Sequence, residues 1–218
     1  MSSARLRGPL NAFRKVLRAT PVFAVYKALA LYPDYWYWKL RGEPVRSPHL
    51  LKQRALREYA KRYGLRILME TGTYYGEMVS AMKHHFDLIY SVEFDQGLVH
   101  RAMRNFARYP HIHILEGDSQ QVLPELLHSL TRPALFWLDA GYYGWQGFRG
   151  DAQRLSREVE AILRHSVQGH VILMDDAHAL DGRNGALTVD ELKSRVESEF
   201  PGRAVEVKHD IVRITPQP

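Results

Sequence analysis

The chain has 218 residues, 45% of them hydrophobic, and a formal net charge of +6. That length fits one ordinary domain with a sizeable core and leaves room for an appendage, and the hydrophobic fraction argues against disorder. Cysteine is absent, which rules out disulfides, thiolate metal sites and cysteine nucleophiles and suits a reducing compartment such as the cytoplasm.

The charge is unevenly spread. Residues 1–62 carry 14 Lys/Arg against 3 Asp/Glu, a net of +11, while residues 63–218 carry 16 against 21, a net of −5. A basic front end on a mildly acidic body points to an anionic partner for the front end, or to a solvated basic face. Arg14, Lys15 and Arg18 interrupt the first apolar run, so no signal-peptide pattern is expected. No run reaches the roughly 18–20 apolar residues that span a bilayer.

Within residues 1–20, Leu10, Phe13, Val16 and Leu17 form the stripe of a short amphipathic helix. After Pro21 comes an apolar stretch, then Tyr35-Trp36-Tyr37-Trp38 beside Lys39 and Arg41. This aromatic and basic mixture suits docking at a membrane interface, on the inner face for a cytoplasmic protein. It also suits a helical flap over a catalytic domain. Interleaved basic and aromatic residues can stack nucleic-acid bases, but the body carries no nucleic-acid signature. Pro44 to Pro48 forms a linker, dividing a basic extension at 1–47 from a domain at 48–218.

A helix is predicted over His49–Tyr63, stopped by Gly64. Strands and helices then alternate, the mark of an α/β layered fold. The predicted strands are Arg66–Glu70, Leu88–Glu93, Ile112–Glu116, Ala134–Asp139, Val171–Asp175, Ala204–Lys208 and Ile211–Thr215, the last two a hairpin across His209-Asp210. Helices are predicted over Gly76–His85, Gln96–Tyr109, Gln120–Leu130, Asp151–His165 and Thr188–Phe200.

Chemistry concentrates where the strands end. The first runs into Glu70-Thr71-Gly72-Thr73-Tyr74-Tyr75-Gly76, and a strand that breaks at Gly and restarts as a helix aims backbone N–H groups into one crevice. The dinucleotide fingerprint Gly-x-Gly-x-x-Gly and the Gly-Lys-Ser/Thr phosphate loop are both absent. Glu93 ends the second strand 21 positions beyond Gly72, where an acid can accept from both ribose hydroxyls; its alternative role is to cap the helix near Gln96. Gly117-Asp118-Ser119 follows the third strand. There Asp118 can accept an exocyclic amine, cap the next helix, or both. The fourth strand ends in Asp139 and the fifth in Asp175-Asp176-Ala177-His178. Acids at the ends of apolar strands are costly unless they serve the cleft or cap a loop.

Taken together, Glu70-Thr71-Gly72-Thr73-Tyr74-Tyr75-Gly76, Ser91-Val92-Glu93, Gly117-Asp118-Ser119, Phe136-Trp137-Leu138-Asp139 and Asp175-Asp176-Ala177 resemble the motif series of class I S-adenosylmethionine-dependent methyltransferases. The chain looks most like a bacterial branch with Glu-Thr-Gly-Thr and Trp-Leu-Asp signatures. Tyr74 stands where that family usually has its middle glycine, and Ala140-Gly141-Tyr142 replaces an expected Gly-His-Tyr, removing a histidine base from that loop. The resemblance implies a Rossmann-like, doubly wound, seven-stranded α/β sheet with an antiparallel last strand, preceded here by the helical extension. It implies S-adenosylmethionine over Glu70, Thr71, Gly72, Thr73, Gly76, Glu93, Asp118, Ser119 and Asp139.

For a hydroxyl acceptor the reaction needs alignment and a base, and Asp139 and His178 are the candidates. Some relatives instead hold a divalent ion between a strand-4 Asp and strand-5 acids. Asp139, Asp175 and Asp176 are the oxygen ligands that Mg²⁺ would take here. Tyr142, Tyr143 and Trp145, with Asp176, are candidates to bind the acceptor, a small molecule or a glycan. Two other readings remain open: an NAD-linked oxidoreductase, and a non-catalytic nucleotide-binding or membrane-adaptor domain.

Overall fold

The computed structural model describes residues 33–43, 46–139, 152–183 and 187–217. The amphipathic stripe at Leu10–Leu17 and the aromatic loop with Tyr142, Tyr143 and Trp145 lie outside the described residues. Residues fall into two compact units, Met1–Leu51 and Lys52–Pro218.

In the first unit, residues 33–40 are helical. Pro33 opens the run, where its missing N–H costs nothing. Trp38 is buried, whereas Trp36, Tyr37 and Leu40 are exposed. Tyr35 stacks on Trp38 with ring centroids 6.4 Å apart, and Arg41 lies 5.0 Å over the Tyr37 ring.

The second unit is built on a sheet of seven strands in the order β3-β2-β1-β4-β5-β7-β6. They are β1 (Ile67–Thr71), β2 (Leu88–Glu93), β3 (Ile112–Glu116), β4 (Leu135–Leu138), β5 (Val171–Met174), β6 (Arg203–Lys208) and β7 (Ile211–Pro216). The first five run parallel, and β7 is antiparallel to both β5 and β6. The helices are α1 (His49–Arg62), which begins in the first unit, α2 (Glu77–Met82), α3 (Gln96–Phe106), α4 (Ser119–Ser129), α5 (Ala152–Leu163) and α6 (Val189–Glu199).

Both faces of the sheet are covered, so its central strands read as unbroken apolar runs rather than as alternation. Along β5, Val171 and Leu173 join a core with Leu56, Leu68, Val79, Met82, Ile89 and Trp137. Ile172 and Met174, one residue out of phase, join the opposite core with Met69, Phe136, Leu123 and Ile162. Each such side chain, fully buried, contributes about 1.5–3 kcal/mol. Among the described residues no helix is long and apolar enough to cross a membrane.

Local chemistry sets the element ends. Asp95 caps α3 by accepting the Leu98 N–H at 2.8 Å, Asp118 caps α4, and Thr188 with Glu191 forms a reciprocal capping box on α6. Most helices stop short of the expected bounds, and in α2 and α3 the cause is visible. Gly76 is left-handed at φ 72°, so α2 starts after it, and a turn bond from His85 N–H to Met82 O ends it early. A bond from Tyr109 N–H to Phe106 O likewise ends α3 at Phe106. Glu70 is not the terminal residue of β1, because the strand continues through Thr71.

The amino end of β5 carries a neutral histidine. His170 is fully buried, and its Nδ1 accepts the Ala134 N–H at 3.0 Å. Its Nε2 therefore holds the ring proton and donates to His165 Nδ1 at 2.9 Å. Burial first, then the nearby charges of His165 and Arg203, push His170 down to about 4. The folded state thus refuses a proton that the unfolded chain accepts below its ordinary value of 6.5. This contribution to stability is complete above that value and is lost as pH falls toward 4, by about 1.4 kcal/mol for each unit of separation. Denaturant unfolding at pH 7.5, 5.5 and 4.5 should show His170→Asn less stable at the highest pH but losing less on acidification than the parent. Parallel losses would exclude His170 as the acid-sensitive group.

Candidate active site

The turn after β1 is tied down by its neighbour. Gly72 and Thr73 N–H both donate to Val92 O, at 2.9 and 3.2 Å, and Gly76 N–H donates to Thr73 O at 2.7 Å. Tyr74 N–H donates to Glu93 Oε2 at 2.7 Å. The turn therefore does not aim these N–H groups into the crevice, as the strand-Gly-helix pattern suggested; four of them are spent inside the protein. Gly72, Tyr74 and Gly76 have φ of 87°, 49° and 72°. At Gly76 a Cβ would also meet the Phe106 ring at 2.8 Å, so a side chain there would strain the backbone and displace that ring. Tyr74 accepts the strain of its left-handed backbone, about 1–3 kcal/mol, and keeps an exposed ring packed on Tyr75.

Behind the turn runs a buried polar chain. Glu70 and Ser91 face each other in the β1–β2 register, and the Ser91 hydroxyl donates to Glu70 Oε2. With its proton spent there, Ser91 accepts from the Thr73 hydroxyl, 2.6 Å away. Burial pushes Glu70 up to about 8; the Ser91 bond opposes this, while the charges of Asp139 and Glu93 add to it. Burial therefore favours the protonated form of Glu70.

Glu93, also buried, accepts the N–H groups of Phe94 and Asp95 at 3.0 Å each, besides that of Tyr74. It gathers the ends of β1 and β2 together. The helix-capping role weighed for Glu93 belongs to Asp95. Gly117 continues the line: its N–H donates to Glu93 O at 2.9 Å, and at φ 147° it has a Cβ-sized space closed by Val122 at 2.8 Å. Asp118 accepts the Gln120 N–H at 3.0 Å as the cap of α4, and the Ser119 hydroxyl donates to Glu158. Glu70, Glu93 and Asp118 thus sit at or just beyond the carboxyl ends of β1, β2 and β3, which are adjacent in the sheet.

The other half of the cleft is formed by β4 and β5. Asp139 N–H reaches Thr71 O at 3.4 Å, placing it beside the β1 turn. Asp175 is buried. One of its oxygens accepts the Asp176 N–H at 2.9 Å and the other accepts the Lys52 ammonium from α1. Burial pushes Asp175 up to about 6 even though Lys52 pulls it down. Asp176 is left-handed at φ 52° and starts the short 3-10 turn Ala177–Ala179. His178 Nδ1 donates to Asp210 Oδ2 at 2.7 Å, and its backbone N–H donates to Oδ1 of the same carboxylate at 2.8 Å. Asp210 comes from the β6–β7 turn.

Among the described residues, the acidic and imidazole ligand atoms of Asp176, His178 and Asp210 come within 4.8 Å of one another. The expected Mg²⁺ set of Asp139, Asp175 and Asp176 does not form such a group. The His178–Asp210 hydrogen bond by itself accounts for much of the observed closeness. Lys52 and Asp210 carry site contacts that no sequence motif marked, and Ser91 stood in the Ser91-Val92-Glu93 motif without a role of its own. Lys52 is one of several basic residues on α1, Ser91 is a small residue inside a strand, and Asp210 reads as hairpin chemistry.

No protein-family model matches the chain, and no curated protein matches it. Solved structures do share its architecture. The O-methyltransferase TomG from Streptomyces achromogenes, involved in tomaymycin synthesis and solved with SAM, superposes with a TM-score of 0.59 at 14% identity, over 92% of this chain and 98% of that one. An O-methyltransferase from Bacillus cereus, solved with SAH, gives 0.59 at 15% identity over 95% and 97%. The N-methyltransferase NodS from Bradyrhizobium japonicum WM9 gives 0.54 at 14% identity over 78% and 97%. The architecture is that of S-adenosylmethionine-dependent methyltransferases of class I.

Glu70 provides a test of the buried chain. Its folded value lies above its ordinary 4.5, so its contribution to stability is complete below 4.5 and is lost as pH rises through 8. Glu70→Gln keeps an acceptor for Ser91 and removes the titration. Its melting temperature relative to the parent should climb steadily between pH 5 and pH 8.5. A constant difference across that range would mean that Glu70 is ionised in the folded chain.

Proposed function

We propose that residues 48–218 form a methyltransferase domain that uses S-adenosylmethionine to methylate a hydroxyl of a small-molecule or sugar-containing acceptor. The observation that carries this reading is the row of acids at the ends of β1, β2 and β3 beside a turn in which the Gly72, Thr73, Tyr74 and Gly76 N–H groups are bonded within the protein. A dinucleotide site presents N–H groups to a pyrophosphate. In this reading the acid groups lining the crevice accept from the ammonium and ribose hydroxyl groups of the ligand. SAM in TomG and SAH in the Bacillus cereus enzyme support the same ligand here.

In this reading Glu93 and Asp118 accept from ribose and adenine, and Glu70 with Thr71, Gly72, Thr73 and Gly76 shapes the methionine end, beside Ser119 and Asp139. When bound, S-adenosylmethionine supplies a methyl group on a leaving group that is already activated, so the protein needs only to align the acceptor and remove its proton. In this reading His178 takes the proton. The Asp210 carboxylate fixes the Nδ1–H tautomer and leaves Nε2 as the basic nitrogen. Asp139, between the β1 turn and β5, aligns the acceptor or shares the base role, with Asp176, Tyr142, Tyr143 and Trp145 around the acceptor.

Calorimetry separates the readings. S-adenosylhomocysteine should bind the full chain and NAD should not. Binding of NAD alone would favour an oxidoreductase. Glu93→Ala should weaken S-adenosylhomocysteine by about 1–3 kcal/mol through unpaired buried groups. Unchanged affinity in a folded variant would remove Glu93 from the site.

We further propose that the extension at 1–47 docks on an anionic membrane face at the inner, cytoplasmic side. The support is the net charge of +11 over residues 1–62 and the exposed Trp36, Tyr37 and Leu40 beside Lys39 and Arg41. Each basic residue near such a surface contributes about 1 kcal/mol, and salt screens it. In flotation assays the full chain should bind anionic liposomes at low salt and release at high salt, whereas a chain starting at Ser47 should not bind. Equal behaviour of the two chains would leave the extension as a flap.

A further inference from the structure

We propose that the Lys52 ammonium is the resident cation of the acceptor side of the cleft, taking the place that a divalent ion would occupy at the strand-5 acids. Lys52 donates to one Asp175 oxygen and lies 4.0 Å from Asp176 Oδ1. The pair is withdrawn from water, with the lysine side chain 19% exposed and the aspartate 5%. The second Asp175 oxygen is taken by the Asp176 N–H, so both oxygens of this carboxylate are engaged by groups of the chain.

The donor set does not fit Mg²⁺. Octahedral oxygen ligation needs carboxylates that converge and space for several waters. Here the ligand atoms of Asp139, Asp175 and Asp176 do not all lie within 4.8 Å of one another, and an ammonium is already bonded to the most buried of the three. A divalent ion at Asp175 would have to displace Lys52 or sit beside a like charge in a poorly screened pocket. A lysine suits the substitution, because its ammonium is a compact point charge on a flexible stem and has three donors. One donor meets Asp175, and the others can meet an acceptor oxygen as it becomes anionic. The inference rests on the methyltransferase reading only for the identity of that acceptor oxygen.

The test uses the full chain and Mn²⁺ alone, followed by electron paramagnetic resonance. The parent should show no Mn²⁺ site that Asp175→Asn abolishes. Lys52→Gln should expose the two acids and raise Mn²⁺ affinity by at least about tenfold, since it removes a unit charge close to the ion. The double variant Lys52→Gln with Asp175→Asn should lose that gain. A parent site that Asp175→Asn removes would overturn the proposal, as would a folded Lys52→Gln with no gain. If Lys52→Gln fails to fold, the comparison of the parent with Asp175→Asn and Asp176→Asn decides alone. A parallel titration with S-adenosylhomocysteine keeps the two ideas apart. Its failure would sink the methyltransferase reading and leave the Mn²⁺ result standing.

Discussion

The site depends on how the chain accommodates carboxyl groups in a sheet that is apolar on both faces. An unpaired buried charge is prohibitive, and each acid here meets that constraint differently. Glu70 favours its protonated form and leans on Ser91. Glu93 collects three backbone N–H groups, Asp175 takes an ammonium, and Asp210 takes an imidazole. These solutions define the local architecture. The Glu93 bonds close the β1 turn against β2, and the Asp210 bonds fasten the β6–β7 turn beneath the end of β5.

Most of the fold was legible in the sequence because its signals are local and redundant. Apolar runs such as Val171–Met174, each ended by an acid and followed by a helical pattern, leave little choice but a parallel sheet covered on both faces. The strand positions held to within a residue. The helix ends held less well, because Gly76 and the turns at His85 and Tyr109 stop helices whose composition would have continued. The site was legible only where chemistry sits on a strand end. Lys52 is 123 positions from Asp175 in the chain, and Asp210 is 32 from His178. Neither spacing follows a helical or strand period, so only tertiary structure joins them. The direction of the turn's N–H groups was also misjudged. A strand-Gly-helix pattern is shared by loops that face phosphate and by loops that face their own sheet. The acceptor of the Gly72 and Thr73 N–H groups, Val92 O, is a backbone atom that no side-chain motif reveals.

That last point bears on ligand class. Four N–H groups of the turn are bonded within the protein and are not available to a phosphate, whose binding relies on N–H groups and positive charge. The acids beside the turn are instead potential acceptors for hydroxyl and cationic donors. Tyr74, in a left-handed position that glycine would fill without strain, fits the same logic. Its backbone N–H is committed to Glu93, and its exposed ring packs on Tyr75.

The two ends of β5 show how one strand serves stability and chemistry with the same type of interaction. At its amino end His170 is locked neutral between Ala134 and His165, with both ring nitrogens occupied and no route to solvent. At its carboxyl end His178 is part-exposed and anchored at one nitrogen only. An imidazole with both nitrogens committed can only hold structure in place. One oriented through Nδ1 by a carboxylate and part-exposed is held in a defined tautomer without being sealed from solvent. The difference comes from position along the strand, because backbone partners surround the buried amino end while the carboxyl end opens on the crevice between β1 and β4.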